Sequence, residues 1–312
     1  MNKLLILAFI TIATGAKSQT AIITKSEREI IPEGITVNPV DKKIYVSSIG
    51  LMKIIAINPT GAHRDFIKSR QDGFLEGLGM KIDEKKQWLW VVSNHREGKL
   101  YSSAIHAFDL KTGEVVQKWV GSDTSKHLLN DLVIHPNGKI YITDTFASTV
   151  YEYDPSTKKM GPFLKGRGVL AHPNGITCNA KGEIIVAAQY GLMKLDYKTK
   201  GMSPLRYRDY SRGAQWMDGI VFWNNSIVGV ADAGIIQYKL DEENTHIISE
   251  KVIDTASANK LFHDPTTCAV LGNELYVVAN SYLSVYNQNG EKVKGVEEKL
   301  GSVVVLKYEL EK

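Results

Sequence analysis

One phrase returns through this chain at a spacing in the mid-forties, and that period limits the fold more than any other feature. It consists of a polar residue beside a glycine, a short apolar strand, a polar turn and a second apolar strand, first seen from Ile31 to Ser48. Copies open at Glu33-Gly34, Glu76-Gly77, Asn130-Asp131, Asn174-Gly175 and Asp218-Gly219, with a weaker one at Pro265-Thr266. Aligned on the first polar residue, the steps are 43, 54, 44, 44 and 47 residues. A repeat of that length holding several strands marks a propeller blade. Each blade needs neighbours to cover its apolar faces, so the array closes into a ring. The expectation is an all-β, six-bladed β-propeller with four-stranded antiparallel blades, filling residues 19–312 as one domain.

The third copy shows the strands best. Asp131–His135 alternates as an inner strand, Pro136-Asn137-Gly138 supplies a turn tolerant of positive φ, and Lys139–Thr143 and Thr149–Tyr153 follow. The second copy is longer by Asn94–Lys99, read as a polar surface loop. The C-terminal run Ser302–Tyr308 has no partner in the sixth copy's pattern, so it and the segment from Thr20 to Glu29 are expected to close the ring by sharing a blade.

Ahead of the repeat stands Met1-Asn2-Lys3, an apolar run from Leu4 to Ala13, and small residues at Ala16 and Ser18. This is the pattern of a cleavable signal peptide over residues 1–18, cut after Ser18. The run is too short to span a bilayer, so the expectation is a periplasmic or secreted protein without a membrane span. The net charge of +4 on 312 residues is small, and no basic run interleaved with aromatics appears, which argues against nucleic acid as a partner. A monomer or small homo-oligomer is expected. The two cysteines, Cys178 and Cys268, fall at even and odd offsets respectively from the aligned position, so they should face opposite ways as two buried free thiols.

The start of each inner strand meets the others around one mouth of the central channel. The residues gathered there are Glu33, Glu76, Asn130, Asn174 and Asp218, with Pro265 breaking the ring. Carboxylate and amide oxygens without thiolates are what Ca²⁺ takes; Mg²⁺, Mn²⁺ or Zn²⁺ could use the same set. A second polar set closes the second strands: Ser48, Asn94, Asp144, Gln189, Asp232 and Asn280. Such residues either orient ligands from behind, bind substrate, or cap local backbone groups. Capping is the better reading for any single position, but so many oxygen donors at one mouth would repel each other without a cation. His135 is read as structural, at the far mouth; His172 and His263 flank the entrance, and Trp216 is read as a pocket wall.

The order Pro32-Glu33-Gly34, Asn130-Asp131, Asn174-Gly175 and Asp218-Gly219 resembles the SMP-30/gluconolactonase family of six-bladed propellers across the whole mature chain. That resemblance implies one divalent metal held by Glu33, Asn174 and Asp218, with Asn130 contacting substrate, and an activity that opens lactones, often of sugars. By placing Asp218 at the metal it makes that residue the candidate base, with Asp144, at the end of a second strand, the alternative; Asp131, His95, Gln189 and Asp232 are candidate substrate contacts beside Asn130 from their place at the same mouth. The family's arginine two residues before the third-blade Asn is replaced by Leu128. The stretch His106–Val116 also resembles the yellow/royal-jelly propellers. The leading expectation is thus an exported, metal-dependent lactonase acting on a small lactone or related ester. The rivals are a non-catalytic binding propeller with structural calcium, and a propeller of strictosidine-synthase type that needs no metal.

Overall fold

Each copy of the phrase forms one antiparallel sheet, and the described residues make six such sheets around an axis. The structure is a computed structural model describing residues 19–311 except Arg167, Tyr210, Ser211, 287–292 and Lys294, and without the side chains of Val169 and Glu297. The expected signal peptide lies outside the described residues. The inner strands are Pro32–Val37, Glu76–Asp83, Leu129–Ile134, Ile176–Cys178, Ile220–Trp223 and Cys268–Leu271. Each runs antiparallel to the next strand of its blade, as alternating apolar sequence and tight polar turns dictate. Blade 5 adds a fifth strand, Arg206–Tyr207, parallel to its outer edge. Among the described residues no helix is long and apolar enough to cross a membrane.

The ring closes through blade 6. The C-terminal strand Val304–Glu309 pairs on one edge with Glu274–Val278 and on the other with the N-terminal strand Gln19–Ile23. Its two faces explain why it fits there. Val303 and Val305 pack with Ile35 and Val46 of blade 1, whereas Val304, Leu306 and Tyr308 pack with Val221 and Val228 of blade 5. The expected sharing of a blade is therefore seen, through residues 19–23 rather than the full stretch to Glu29.

Two sequence expectations change. Asn94–Lys99 is not a loop insertion: Trp88–Glu97 and Leu100–Asp109 pair along their whole length, from Trp88↔Asp109 to Glu97↔Leu100, so the added residues lengthen a hairpin. The cysteines are free, but both face the preceding blade, Cys178 Sγ toward the Ile134 carbonyl and Cys268 Sγ toward that of Gly219, each at 3.8 Å. Cys178 is half-buried, not fully buried.

The glycine of the repeated phrase answers to packing between blades. A Cβ on Gly34 would lie 2.1 Å from the Leu78 carbonyl oxygen of blade 2, and one on Gly175 would lie 2.3 Å from the Asp218 carbonyl oxygen of blade 5. Neighbouring inner strands approach too closely there for any side chain.

Between blades 1 and 2 lies His106, fully buried, stacked on Phe108 at 5.4 Å, with Nε2 3.3 Å from the Asp72 carbonyl and Nδ1 without a partner. Burial pushes its imidazole down to about 4. The unfolded chain takes up a proton below about 6.5 that the folded state refuses, so this residue's contribution is intact above that pH and is lost as pH falls toward 4. Against the His106→Phe variant, the native protein is expected to lose on the order of 3 kcal/mol more between those limits. Thermal unfolding of both proteins across the range checks this; parallel curves would exonerate His106.

Candidate functional site

Backbone pairing identifies the residue of each blade that begins its inner strand at the channel. The N–H groups of Asn174, Asp218 and Thr266 donate to the carbonyls of Ala187, Val230 and Val278 in the same way. In the first three blades the register shifts between Pro32 and Ile35, Gly77 and Met80, and Leu129 and Leu132. Equivalent positions are thus Glu33, Leu78, Asn130, Asn174, Asp218 and Thr266.

Two assignments are corrected by this register. Glu76 stands two residues before the blade 2 position and turns aside, its Oε1 3.1 Å from His95 Nδ1. Its neighbour Gly77 imitates the phrase, but Gly79 is the glycine that meets the next blade, 2.6 Å from the Asp131 Cα if given a Cβ. In blade 6 the position belongs to Thr266, not Pro265, and its hydroxyl donates to the Glu33 carbonyl at 3.1 Å.

What converges is an oxygen-rich set on a poorly solvated floor. Glu33 is 4% exposed, and its Oε2 has no hydrogen-bond partner. Burial foremost, then the charges of Asp218 and Asp131, drive its carboxyl well above the usual range, with Lys81 opposing. Asp218 is pushed up to about 7 by burial, held back by a hydrogen bond from Asn174 and raised again by Asp131 and Asp232. Asn130 spends its amide nitrogen on Thr145 Oγ1 at 3.0 Å, which leaves the amide oxygen for a ligand. Asp131 is buried, its Oδ2 accepting from the Ile176 N–H at 3.2 Å and its Oδ1 3.4 Å from Lys81 Nζ. It locks blade 3 to blade 4 beneath the set.

An orphaned buried carboxylate oxygen beside a second carboxylate and two amides fits a hard divalent cation. Among the described residues, no group of three or more His, Cys, Asp or Glu gathers to hold a metal. A cation here would therefore draw on the asparagine oxygens.

The second polar set does not form one ring. Ser48 pairs with Pro32 and Asp144 with Leu129, where blade 2 has Ser93 opposite Gly77. Ser48 and Asp144 thus stand one residue earlier than Asn94. Most of the set caps backbone: Asn94 holds both the N–H and the carbonyl of Leu129 at 2.9 Å, and Asn280 accepts from Val304 N–H at 2.8 Å and donates to the Ser302 carbonyl at 2.8 Å. Asp144 accepts from the N–H groups of Leu128 and Ala147, both at 3.0 Å. Its other oxygen lies 2.6 Å from Nδ1 of His127, whose Nε2 is 3.5 Å from Asp123. His127 escaped the sequence reading because it lies outside the repeated phrase. Gln189 and Asp232 are exposed, and of the two Asp232 lines the same cavity as Asp218. His135 is buried, with Nε2 2.9 Å from the Gly182 carbonyl.

Asp218 also borders a cavity of about 560 Å³ between blades 5 and 6, walled by Trp216, Phe262, His263 and Thr266, with Asp232 and Asp264 on its rim.

No family model matches the chain, and no curated protein matches it in sequence. Solved structures do share its fold. A gluconolactonase from Xanthomonas campestris superposes with a TM-score of 0.64 at 13% identity, covering 94% of this chain and 90% of that one. A calcium-binding protein, regucalcin, from Agrobacterium tumefaciens gives 0.57 at 14% identity, covering 93% and 95%. A virginiamycin B lyase from Staphylococcus aureus gives 0.59 at 14% identity, covering 94% and 99%. At such identities the likeness is one of fold.

Proposed function

We propose that this protein is an exported, divalent-cation-dependent hydrolase that opens a lactone or related cyclic ester at the mouth where Glu33, Asn130, Asn174 and Asp218 meet. The observation that carries the reading is Glu33 Oε2, buried without a partner beside the carboxyl of Asp218 at the edge of a ligand-sized cavity. The gluconolactonase and the calcium-binding regucalcin among proteins of this fold support it. Export rests on the residue 1–18 pattern, and a cut after Ser18 would leave the first strand, Gln19–Ile23, whole.

A cation held by Glu33, Asn174 and Asp218, with Ca²⁺ the first choice, would supply Lewis-acid polarisation of the ester carbonyl. The chain's own part is positional and protolytic. The Asn130 amide orients the substrate. Asp218 stands where it can take the proton of an attacking water and return it to the departing alkoxide. Lys81, below the set, limits the negative charge that Glu33 and Asp131 accumulate. Asp144 is already engaged by two N–H groups and His127, so Asp218 is the better base.

A binding-only reading would keep the cation in a structural role, as proteins of this fold include the calcium-binding regucalcin beside the gluconolactonase. Metal analysis of the purified protein, then a lactone panel with and without chelator, separates the two. Chelation is expected to remove turnover and calcium to restore it. Glu33→Gln and Asn174→Asp should change cation affinity more than unfolding temperature. Turnover that survives chelation sinks the cation mechanism; bound cation with no lactone turned over favours the binding reading.

A further inference from the structure

The carboxylates beneath the mouth share a single counter-charge that the chain itself supplies. Glu33 and Asp131 are buried and Asp218 is half-buried. Against them stands Lys81, which among the described residues is the only basic side chain on the six inner strands. Its ammonium lies 3.4 Å from Asp131 Oδ1 of blade 3. Its charge is also felt by Glu33 of blade 1, Cys178 of blade 4 and Cys268 of blade 6, as befits a group near the axis where these blades converge. The other acids of the inner strands are engaged elsewhere: Glu76 by His95 at 3.1 Å, and Asp83 by the turn N–H groups of Lys85 and Lys86, both at 3.1 Å. Asp232 and Asp264, on the cavity rim, are exposed and so screened by solvent.

Three ionised carboxylates facing one ammonium leave two negative charges unmatched. The deficit is most costly at Glu33 Oε2, which is buried without a partner. A divalent ion closes that balance, a monovalent ion falls short of it and a trivalent ion overshoots. The lysine is tethered, so the charge it brings is subtracted permanently from what a bound ion must bring.

We propose that Lys81 is a built-in cation that sets the charge of the ion held by Glu33, Asn174 and Asp218 at two, and keeps its affinity below what the three carboxylates alone would give. The inference rests on the cation site of the reading above, and on no reaction there.

Calcium and terbium(III), similar in size and different in charge, are titrated calorimetrically near neutral pH into the native protein, Lys81→Met, Asp131→Asn and the double variant. Lys81→Met is expected to bind calcium about tenfold more tightly than the native protein does, and terbium about thirtyfold, because the repulsion removed scales with the charge of the ion. Asp131→Asn should weaken calcium about tenfold, and the double variant, with its charge in balance again, should return to within about threefold of the native affinity. A Lys81 that merely clamps Asp131 between blades predicts the opposite, since its loss would slacken the floor and weaken both ions. If Lys81→Met alone fails to unfold cooperatively, the double variant set against Asp131→Asn makes the same comparison, and calcium should again tighten about tenfold. Calcium bound no more tightly without Lys81, or terbium gaining no more than calcium, overturns the inference. Native protein and variants that take up neither ion overturn the cation site along with it. Affinities ranked as expected with no lactone turned over would sink the hydrolase reading alone.

Discussion

Asp218→Asn is expected to cut lactone turnover by about 10²–10³-fold in kcat/KM while making the cation-free protein more stable above neutral pH. The two effects have one source. In the folded chain the carboxyl of Asp218 titrates at about 7 instead of 3.8, chiefly because the packing around this half-buried side chain desolvates it and then because Asp131 and Asp232 lie close. A raised carboxyl contributes its full stability only below the unfolded value, and that contribution is lost as pH rises through the folded value. Without a divalent cation, the native protein should therefore lose on the order of 4 kcal/mol from this group between about pH 4 and pH 8. Asparagine cannot ionise, so the variant's unfolding temperature should stay flatter over that interval. Saturating calcium should flatten the native curve and leave the variant's almost unmoved. Calorimetric unfolding with and without calcium, beside initial rates on a lactone panel, gives both answers. A variant that turns over normally, or a native protein indifferent to pH and calcium, would show that Asp218 does not sit at a cation site.

Truncation after Ser302 is expected to abolish cooperative unfolding, whereas removal of Gln19–Ile23 should only weaken the fold. The C-terminal strand is hydrogen-bonded along both edges, and Val303, Val305 and Leu306 are wholly buried. Its loss would strip the facing surfaces of blades 1 and 5 together, leaving a ring without its closing blade. The N-terminal strand lies at the outer edge and buries only Ile22, so its loss should cost about 2–4 kcal/mol. Thermal melts and hydrogen exchange in the first and last blades distinguish these outcomes. Undiminished protection after the C-terminal truncation would mean that the ring is held some other way.

The architecture was open to reading because it is written in periods. Strand alternation and a recurrent turn survive changes of individual residues, and a mid-forties repeat has few ways to bury its apolar faces. Closure was legible too, since Ser302–Tyr308 is too apolar to be left unpaired. The site was legible only to within a residue or two. Glu76-Gly77 looks like Glu33-Gly34, yet a register shift moves the channel position to Leu78. Pro265 took the place of Thr266 for a similar reason: the letters align, but the hydrogen bonds count differently. Asp144 does end its strand as expected, whereas Asn94 lies inside one that runs on to Glu97. What they do there depends on which backbone groups fall within reach, and a linear pattern does not record that. His127 belongs to the same class, a side chain given meaning only by the carboxylate folded against it.

The place of closure has a mechanical meaning. The chain crosses every joint between blades, the last where Gln19–Ile23 of blade 6 leads into Pro32–Val37 of blade 1, so the ring is sealed inside blade 6, where the N-terminal strand pairs with the C-terminal one. Glu33 and Asp218 stand on opposite sides of this seam, in blades 1 and 5. The cation proposed between them would clasp the ring across the blade that closes it, so that holding the ion and keeping the circle shut would be one act.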